Sequence, residues 1–528
     1  MRVVNLSYEN LKYNTCIFYF GSDNIGEILT INNMLCNKNE IVIVEPSLEA
    51  YKKISYFKNS RISSVYFDIN DIDSFLNFIY KKITILNYNN IVLKHSAQYF
   101  QKYNSEYNKL YCIINEYINR LTASENNINS FKEINLRNTI YYINSINYGT
   151  LIDEYKDINK DVPAIIVSAG PSLDKNLAEM INYKDKLKDY FIIAGNRTLK
   201  ALINNNIKPD LLITVDPNEI THEMINSYNY DDIPIVYYEK SNYKVIKNYK
   251  GERILQSSYI LQKICGYTSS PQVCLGGSVA HTCTDIAYFL GCSPIIFIGQ
   301  DFGYTFNKKF ADTSKFFPYE VYNKNGNDIL IDDVNKNKIR TSKLLNIYKK
   351  NMESLIGNKK SASSTEFINC SYGADIKGAP HENLGILFRD FIPKQNKKIL
   401  EPGSRVQIDA KEIYDNLLKY IDGFINGCSI YINKIQDSQL SEKQILELEN
   451  YMKSMINAKM SYIIHDYIIT MQVNISKKFF KFTASEYICM YNNIHYKNIL
   501  IKDILLYIRD SLSDVKEKIQ IYINDATV

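Results

Sequence analysis

Apolar residues follow two different spacings along the chain, and the change of spacing divides the chain into three regions. In the middle region, the segment VPAIIVSAGPSLDKN (162–176) begins with an apolar run at 164–168. Gly170 and Pro171 interrupt this run, and Ser172 stands where a helix would begin. This order predicts a buried strand, a short loop and the first turn of a helix. Backbone amides at such a helix start favour an anionic ligand.

The same strand-then-helix order returns further along the middle region. Apolar runs at 190–194 and 211–215 predict two strands that are joined by a short helix. Gly277 precedes Ser278, which is predicted to cap a helix, and the run at 294–298 predicts another strand. Polar residues stand at or just beyond the ends of these predicted strands: Ser168, Asn196, Asp216, Gln300 and Asp301.

This alternation predicts an α/β domain with a parallel sheet over residues 151–400. The carboxyl ends of parallel strands meet at one edge of the sheet, and open α/β sheets bind their ligands at that edge. We therefore expect the polar residues at the strand ends to line one binding site.

Residues 1–150 are predicted to form a Rossmann-like domain. An apolar run at 16–20 is followed by Gly21 and Gly26, and a second run at 41–44 is followed by Glu45, where an acid could bind a ribose hydroxyl. The glycines form G-x-x-x-x-G instead of the dinucleotide pattern. A Rossmann-like scaffold without a cofactor is therefore favoured over a domain that binds NAD or S-adenosylmethionine.

Residues 401–528 show helical spacing almost throughout. The predicted amphipathic helices are 410–435, 441–467, 479–496 and 499–523. They predict a helical bundle in which no catalytic pattern stands out, so its role would be to dock a partner or to pack on the α/β domain.

Composition removes several classes of function. The 62 basic and 57 acidic residues give a net charge of +5, which is too small and too evenly spread to favour nucleic acid as a partner. The 44 tyrosines are scattered without a basic stripe, and together with the absence of tryptophan they indicate a general compositional bias.

The ten cysteines are predicted to be reduced and mostly buried, because they form no C-x-x-C pair. Four of them recur every nine residues, at Cys265, Cys274, Cys283 and Cys292, but this spacing matches no metal-binding pattern. The chain shows neither a secretion signal nor an apolar run that could span a membrane. A soluble cytoplasmic protein without a metal or a membrane partner is expected.

Five motifs in the middle region together resemble one known family. They are VSAGPSLDKN, IIAGNRTL, IKPDLLITVDP, GGSVAHTCTDIAYFLGCSPIIFIGQDF and INCSYGADIKGA. In this order they resemble the Maf proteins, which are motility-associated flagellin glycosyltransferases. The central domain of that family belongs to the 6-hydroxymethylpterin diphosphokinase-like superfamily and is similar to bacterial sialyltransferases.

The resemblance implies an enzyme that needs no cofactor and uses a CMP-activated nonulosonic acid, such as pseudaminic or legionaminic acid, as its donor. The acceptor would be a serine or threonine of flagellin, and residues 401–528 would be available to dock it. The residues implied in binding the donor are Ser168, Gly170, Pro171, Ser172, Asn196, Gly277, Ser278 and Gln300.

The general base is where the sequence departs from the family. Family members carry a histidine shortly after the Gln-Asp strand end, whereas the corresponding stretch here (308–314) reads KKFADTS. The catalytic candidates are therefore Asp301 first and His281 second, while Asp216 is more suited to binding the nucleotide or the sugar.

Two alternatives of a different kind remain open. A pterin diphosphokinase-like enzyme would use ATP and Mg²⁺, although such enzymes are generally a single compact domain. A non-catalytic protein that binds flagellin or assists its export would explain the missing histidine.

Overall fold

The fold was examined in a computed structural model. It describes residues 11–527 with the exception of 57–58, 248, 257, 268–276, 319, 321, 323–325, 327 and 480. Cys274, which is part of the predicted nine-residue cysteine spacing, lies outside the described residues.

The chain divides into two compact units. One consists of Met1–Glu133 and Asp415–Lys518, and the other of Ile134–Tyr414 and Ile519–Val528. The domain bounds 1–150, 151–400 and 401–528 stay a prediction.

The strands belong to two parallel sheets and one antiparallel hairpin. They are β1 (Cys16–Phe20), β2 (Glu40–Glu45), β3 (Ile62–Tyr66), β4 (Ile91–His95), β5 (Gly149–Leu151), β6 (Ala164–Val167), β7 (Phe191–Gly195), β8 (Leu211–Ile213), β9 (Ile235–Tyr237), β10 (Arg253–Leu255), β11 (Ile295–Ile298), β12 (Ile329–Asp332), β13 (Lys338–Thr341) and β14 (Phe367–Asn369).

The helices alternate with the strands in the first three quarters of the chain and then follow one another. They are α1 (Ile25–Asn33), α2 (Leu48–Ile54), α3 (Ile72–Lys82), α4 (Ala97–Lys102), α5 (Asn104–Ser145), α6 (Leu173–Asn182), α7 (Asn196–Asn204), α8 (Glu219–Glu223), α9 (Tyr243–Lys247), α10 (Val279–Phe289), α11 (Lys343–Ala362), α12 (Leu384–Asp390), α13 (Ala410–Asp437), α14 (Glu442–Ile456), α15 (His465–Phe479), α16 (Ala484–Asn492) and α17 (Ile494–Thr527). The predicted fold class, α/β with a helical C-terminal region, is confirmed.

The first unit contains a four-stranded parallel sheet in the order β3-β2-β1-β4. Alternate residues of β1 enter two different apolar cores: Phe18 and Phe20 pack into one, and Ile17 and Tyr19 into the other. Both faces of this strand are therefore covered, which explains why the sequence CIFYF is apolar throughout instead of alternating.

Glu45, the predicted ribose-binding acid of this unit, is fully buried and already bonded by protein groups. Its carboxylate accepts hydrogen bonds from the Ser22 hydroxyl at 2.5 Å and from the backbone N–H of Ser47 at 2.8 Å. At Gly21, which has a φ of +103°, a side chain would overlap the ring of Tyr99. The Glu45 carboxylate is thus held by hydrogen bonds within the protein, and the Tyr99 ring packs directly against Gly21.

The second unit contains an eight-stranded parallel sheet in the order β14-β11-β6-β7-β8-β9-β10-β5. After β6 the chain adds β7 to β10 on one side, and it then crosses to place β11 on the other side of β6. The loops that follow β6 and β11 therefore leave in opposite directions. The crevice between such loops is the usual ligand site of an open α/β sheet.

The C-terminal helices differ in two respects from their prediction. The segment predicted as one helix at 479–496 contains α16 (Ala484–Asn492) and the first residues of α17, which begins at Ile494. The segment 441–467 was predicted as a single helix, but α14 ends at Ile456 and α15 begins at His465. Asn457 caps the end of α14, and a 3₁₀ turn at Lys459–Tyr462 separates the two helices. Among the described residues, none of the helices combines the length and apolarity needed to cross a bilayer.

Candidate functional site

A cavity of about 390 Å³ opens at the carboxyl edge of the eight-stranded sheet. Its wall comes from the loops after β6, β7, β8 and β11 and from the first turns of α7 and α10. The site residues from the sequence that line it are Ser168, Gly170, Pro171, Asn196, Asp216, Gly277, Ser278, Gln300 and Asp301. Ser172 and His281 are not among the described lining residues.

The loops after β6 and β11 are joined by backbone hydrogen bonds. The N–H of Ser168 donates to the carbonyl of Ile298 at 2.9 Å, and that of Gly170 donates to the carbonyl of Gly299 at 2.8 Å. Gly299 has a φ of +60°, and a side chain there would overlap the Ser168 carbonyl oxygen. Only glycine permits this close approach of the two loops.

Side-chain bonds extend the link between these loops. The Ser168 hydroxyl donates to Oε1 of Gln300 at 2.5 Å, and the Gln300 backbone N–H donates to the hydroxyl of Ser371 at 2.7 Å. Among the described residues, none accepts a hydrogen bond from the Gln300 side-chain nitrogen. This amide is therefore held in place with a donor available to a ligand.

Asp301 is almost completely buried, with 2% of its surface exposed. Its Oδ2 accepts hydrogen bonds from the backbone N–H of Ser172 at 3.0 Å and from the Ser172 hydroxyl at 2.9 Å. Its Oδ1 has no hydrogen-bond partner among the described residues. Burial raises the pKa of Asp301 to about 6, although the nearby Thr305 hydroxyl and the two Ser172 donors favour the charged form.

This geometry gives Ser172 a positioning role. Ser172 is fully buried and precedes the first residue of α6, and both of its donors hold the Asp301 carboxylate. A side chain at Gly170 would overlap Oδ2 of Asp301. The loop after β6 and the Asp301 carboxylate therefore hold each other in position. Oδ1 of Asp301 remains without a hydrogen-bond partner among the described residues.

Helix α7 begins at the cavity with Asn196, which is 7% exposed. Its Nδ2 donates to the carbonyl of Thr221 at 3.3 Å. The following residue, Arg197, also lines the cavity and donates to both carboxylate oxygens of Glu320 at 2.9 Å.

Helix α10 begins on the opposite part of the wall. Ser278 is its N-cap and accepts from the Ala280 N–H at 3.4 Å. Gly277 has a φ of +93°, and a side chain there would overlap the ring of Tyr348. Only a residue without a side chain can therefore pack against the Tyr348 ring at this position.

His281 is fully buried behind the start of α10. Its Nδ1 lies 3.2 Å from the Ser278 carbonyl oxygen, and its Nε2 lies 2.9 Å from that of Tyr348. Burial lowers the pKa of this imidazole, and a neutral imidazole can donate from only one nitrogen. His281 thus links α10 to α11, and both of its nitrogens face backbone acceptors.

Asp216 is exposed at the end of the loop after β8. Its Oδ1 accepts from the backbone N–H of Asn218 at 2.9 Å and from the Asn218 side-chain nitrogen at 2.8 Å. These bonds form a local Asx turn that presents the carboxylate at the rim of the cavity.

The site as a whole favours an anion. The starts of α7 and α10 meet at one cavity, and each adds backbone N–H groups and the positive end of a helix dipole. Among the described residues, no group of three or more His, Cys, Asp or Glu side chains is arranged to hold a metal ion.

Comparison with known proteins finds a family model that matches part of the chain. The model is described as 6-hydroxymethylpterin diphosphokinase MptE-like, and it matches residues 134–307. These residues are therefore similar to MptE-like domains.

A solved structure has a similar fold. A Maf glycosyltransferase from Magnetospirillum magneticum AMB-1 aligns over 98% of this chain and 81% of its own length, with a TM-score of 0.57 and 11% sequence identity. The chain therefore has the Maf fold, and the resemblance inferred from the motifs is confirmed at the level of the fold. No curated protein sequence matches the chain.

Residues 134–307 supply most of the described lining of the cavity, but residues beyond position 307 complete it. Lys309, Phe310, Leu345 and Tyr348 all line the cavity. In the sequence, the stretch 308–314 stands out only because it lacks the histidine of the family. Asp312 of this stretch forms ion pairs with Lys308 and Lys315 instead, at 2.5 and 2.6 Å.

Proposed function

We propose that the protein is a glycosyltransferase that transfers a nonulosonic acid from a CMP-activated donor to a serine or threonine of flagellin. The observation that carries this proposal is the cavity at which two helix starts converge, because a phosphate is the ligand that such an arrangement favours. The structural likeness to a protein named as a Maf glycosyltransferase supports the reaction class.

The proposed reaction is a single displacement at the anomeric carbon. The acceptor oxygen forms a bond to that carbon while the bond to the phosphate oxygen breaks, and the electron pair leaves with CMP. The acceptor proton passes to a general base. Negative charge grows on the phosphate during this step, and the N–H groups at the helix starts would stabilise it.

Asp301 is the proposed base. Its Oδ1 has no partner among the described residues, and its pKa of about 6 keeps most of the carboxylate ionised at neutral pH while leaving it able to take up a proton. Asp216, at the exposed rim, is proposed to bind the nucleotide or the sugar. His281 would first have to break its contacts with two carbonyl groups.

A second candidate function is that of a diphosphokinase. The description of the matching family model, 6-hydroxymethylpterin diphosphokinase MptE-like, favours it. Such an enzyme would bind ATP with Mg²⁺ together with a pterin, whereas the proposed transferase would bind CMP alone.

Titration calorimetry with the full chain distinguishes these functions. We expect CMP to bind without added metal, and we expect no response to ATP with Mg²⁺, with or without a pterin. Asn196→Ala, at the start of α7, should weaken CMP binding by about tenfold because it removes a polar group from the wall. Asn205→Ala, at the other end of the same helix, is the matched control.

Two results would count against the proposal. Binding of ATP with Mg²⁺ and a pterin, but not of CMP, would favour the diphosphokinase. Failure of the wild-type chain to bind either nucleotide would favour a non-catalytic protein that binds flagellin.

A further inference from the structure

The two cationic side chains among the described lining residues, Arg197 and Lys309, differ in whether a carboxylate balances their charge. The Arg197 guanidinium donates to both oxygens of Glu320 and also lies 4.3 Å from the centroid of the Phe310 ring. Because its charge is balanced within the protein, Arg197 shapes the wall without adding much net charge to the cavity.

Lys309 has no such partner. Its side chain is exposed and lines the cavity, and its ammonium lies 5.3 Å from the centroid of the Phe310 ring. Among the described residues, no carboxylate forms an ion pair with it. The adjacent Lys308 is paired with Asp312 at 2.5 Å and is not part of the described lining. Lys309 thus brings a positive charge to the cavity that no described carboxylate balances. The charge of its neighbour Lys308 is balanced by Asp312 and lies outside the described lining.

Positive potential therefore reaches the cavity from two kinds of source. The helix starts present fixed backbone N–H groups, which suit a phosphate. Lys309 adds a full charge on a flexible side chain, which suits a second anion. A nucleoside monophosphate bonded to a neutral sugar has one anionic group, its phosphodiester. A nucleotide bonded to a sugar acid has a second one, and in a 2-keto sugar acid that carboxylate is attached to the anomeric carbon itself.

We propose that Lys309 binds the carboxylate of the donor sugar and thereby selects an acidic sugar over a neutral one. The inference rests on the proposed function, since it takes the ligand to be a nucleotide-activated sugar. The phosphate at the helix starts and the carboxylate at Lys309 flank the anomeric carbon, so the two contacts together orient the bond that breaks. Lys309 is a specificity-determining residue in this account and takes no proton.

The test is a calorimetric titration of the full chain with two cytidine phosphodiesters. One probe is a CMP-activated nonulosonic acid with fluorine next to the anomeric carbon, which slows its breakdown. The other is cytidine 5′-methyl phosphate, which has the same phosphodiester and no carboxylate. We expect the wild type to bind the first probe more tightly than the second by about fivefold to twentyfold, the range of a partly exposed contact between charged groups.

The variants separate the lysine from its surroundings. Lys309→Ala should lose most of this preference, and Lys309→Arg should retain it because the charge is kept. Lys308→Ala should preserve the wild-type preference, since its charge is balanced by Asp312 outside the described lining. Thermal unfolding of each variant checks that the fold is intact.

The possible failures are distinguishable. If Lys309→Ala weakens the binding of both probes by the same factor, the lysine binds the phosphate and the inference is wrong. An unchanged preference in Lys309→Ala, or the lack of any preference in the wild type, would overturn it as well and leave the proposed function standing. If the wild type binds neither probe, the proposed function itself fails.

Discussion

Replacing Asp301 by asparagine should change how the stability of the protein depends on pH. The carboxylate is 2% exposed, and burial raises its pKa from an ordinary value of 3.8 to about 6. Between these two values the folded chain holds a proton that the unfolded chain has released. The free energy of unfolding must therefore fall as the pH rises through this range.

The size of the effect follows from the same two values. At about 1.4 kcal/mol for each pH unit, the difference amounts to about 3 kcal/mol. Below about pH 3 the carboxyl group is protonated in both states, and above about pH 7 it is ionised in both. The wild type should therefore lose most of this difference, about 2.5 kcal/mol, relative to Asp301→Asn between pH 4 and pH 7.

Urea unfolding at constant ionic strength from pH 4 to pH 8 measures this difference. Because the chain has two compact units, the comparison uses the transition that the substitution shifts. Asp312→Asn is the matched control, since its ion pairs with Lys308 and Lys315 lower the pKa of Asp312 and should give a weak dependence of the opposite sign. Parallel profiles for the wild type and Asp301→Asn would refute the reasoning.

Further predictions concern the loops of the cavity. Ser172→Ala should raise the pKa of Asp301 further, because it removes a hydroxyl donor that stabilises the charged carboxylate. The pH dependence of unfolding that is due to Asp301 should then move to higher pH, and the midpoints of the unfolding profiles measure this shift. Gly277→Ala should cost about 1 to 3 kcal/mol and weaken CMP binding, because the new side chain meets the Tyr348 ring at a positive φ. Gly357→Ala, within α11 and with open space around it, should leave CMP binding unchanged and stabilise the chain by up to about 1 kcal/mol in thermal unfolding.

The part of the site that follows from strand order could be predicted from the sequence. Apolar runs marked β6, β7, β8 and β11, and parallel pairing brings their carboxyl ends to one edge. Residues placed at those ends, such as Asn196 and Gln300, therefore line one cavity. The roles proposed for them as ligand contacts stay predictions.

The part that depends on distant contacts could not be predicted. The pairing of His281 with the Tyr348 carbonyl joins positions that are 67 residues apart, and no local pattern marks it. Lys309 and Tyr348 reach the cavity from segments without a strand signal next to them. Whether a lysine is balanced by an acid is likewise a property of the folded chain.

Helix boundaries failed for a related reason. Apolar spacing continues across 441–467 because the residues on both sides of the break are buried, as Leu448 and Ile464 are. The cap at Asn457 and the following 3₁₀ turn end the helix without ending that spacing. Periodicity reports which face of a segment is buried, but it does not report where the backbone turns.

The most direct test of the central claim is the intact mass of flagellin after incubation with the purified protein and a CMP-activated nonulosonic acid. The account predicts that flagellin gains the mass of one or more nonulosonic acid residues, with an equal amount of CMP released, and that Asp301→Ala reduces this transfer strongly. Flagellin of unchanged mass, with the wild-type protein folded and the donor still intact at the end of the reaction, would contradict it.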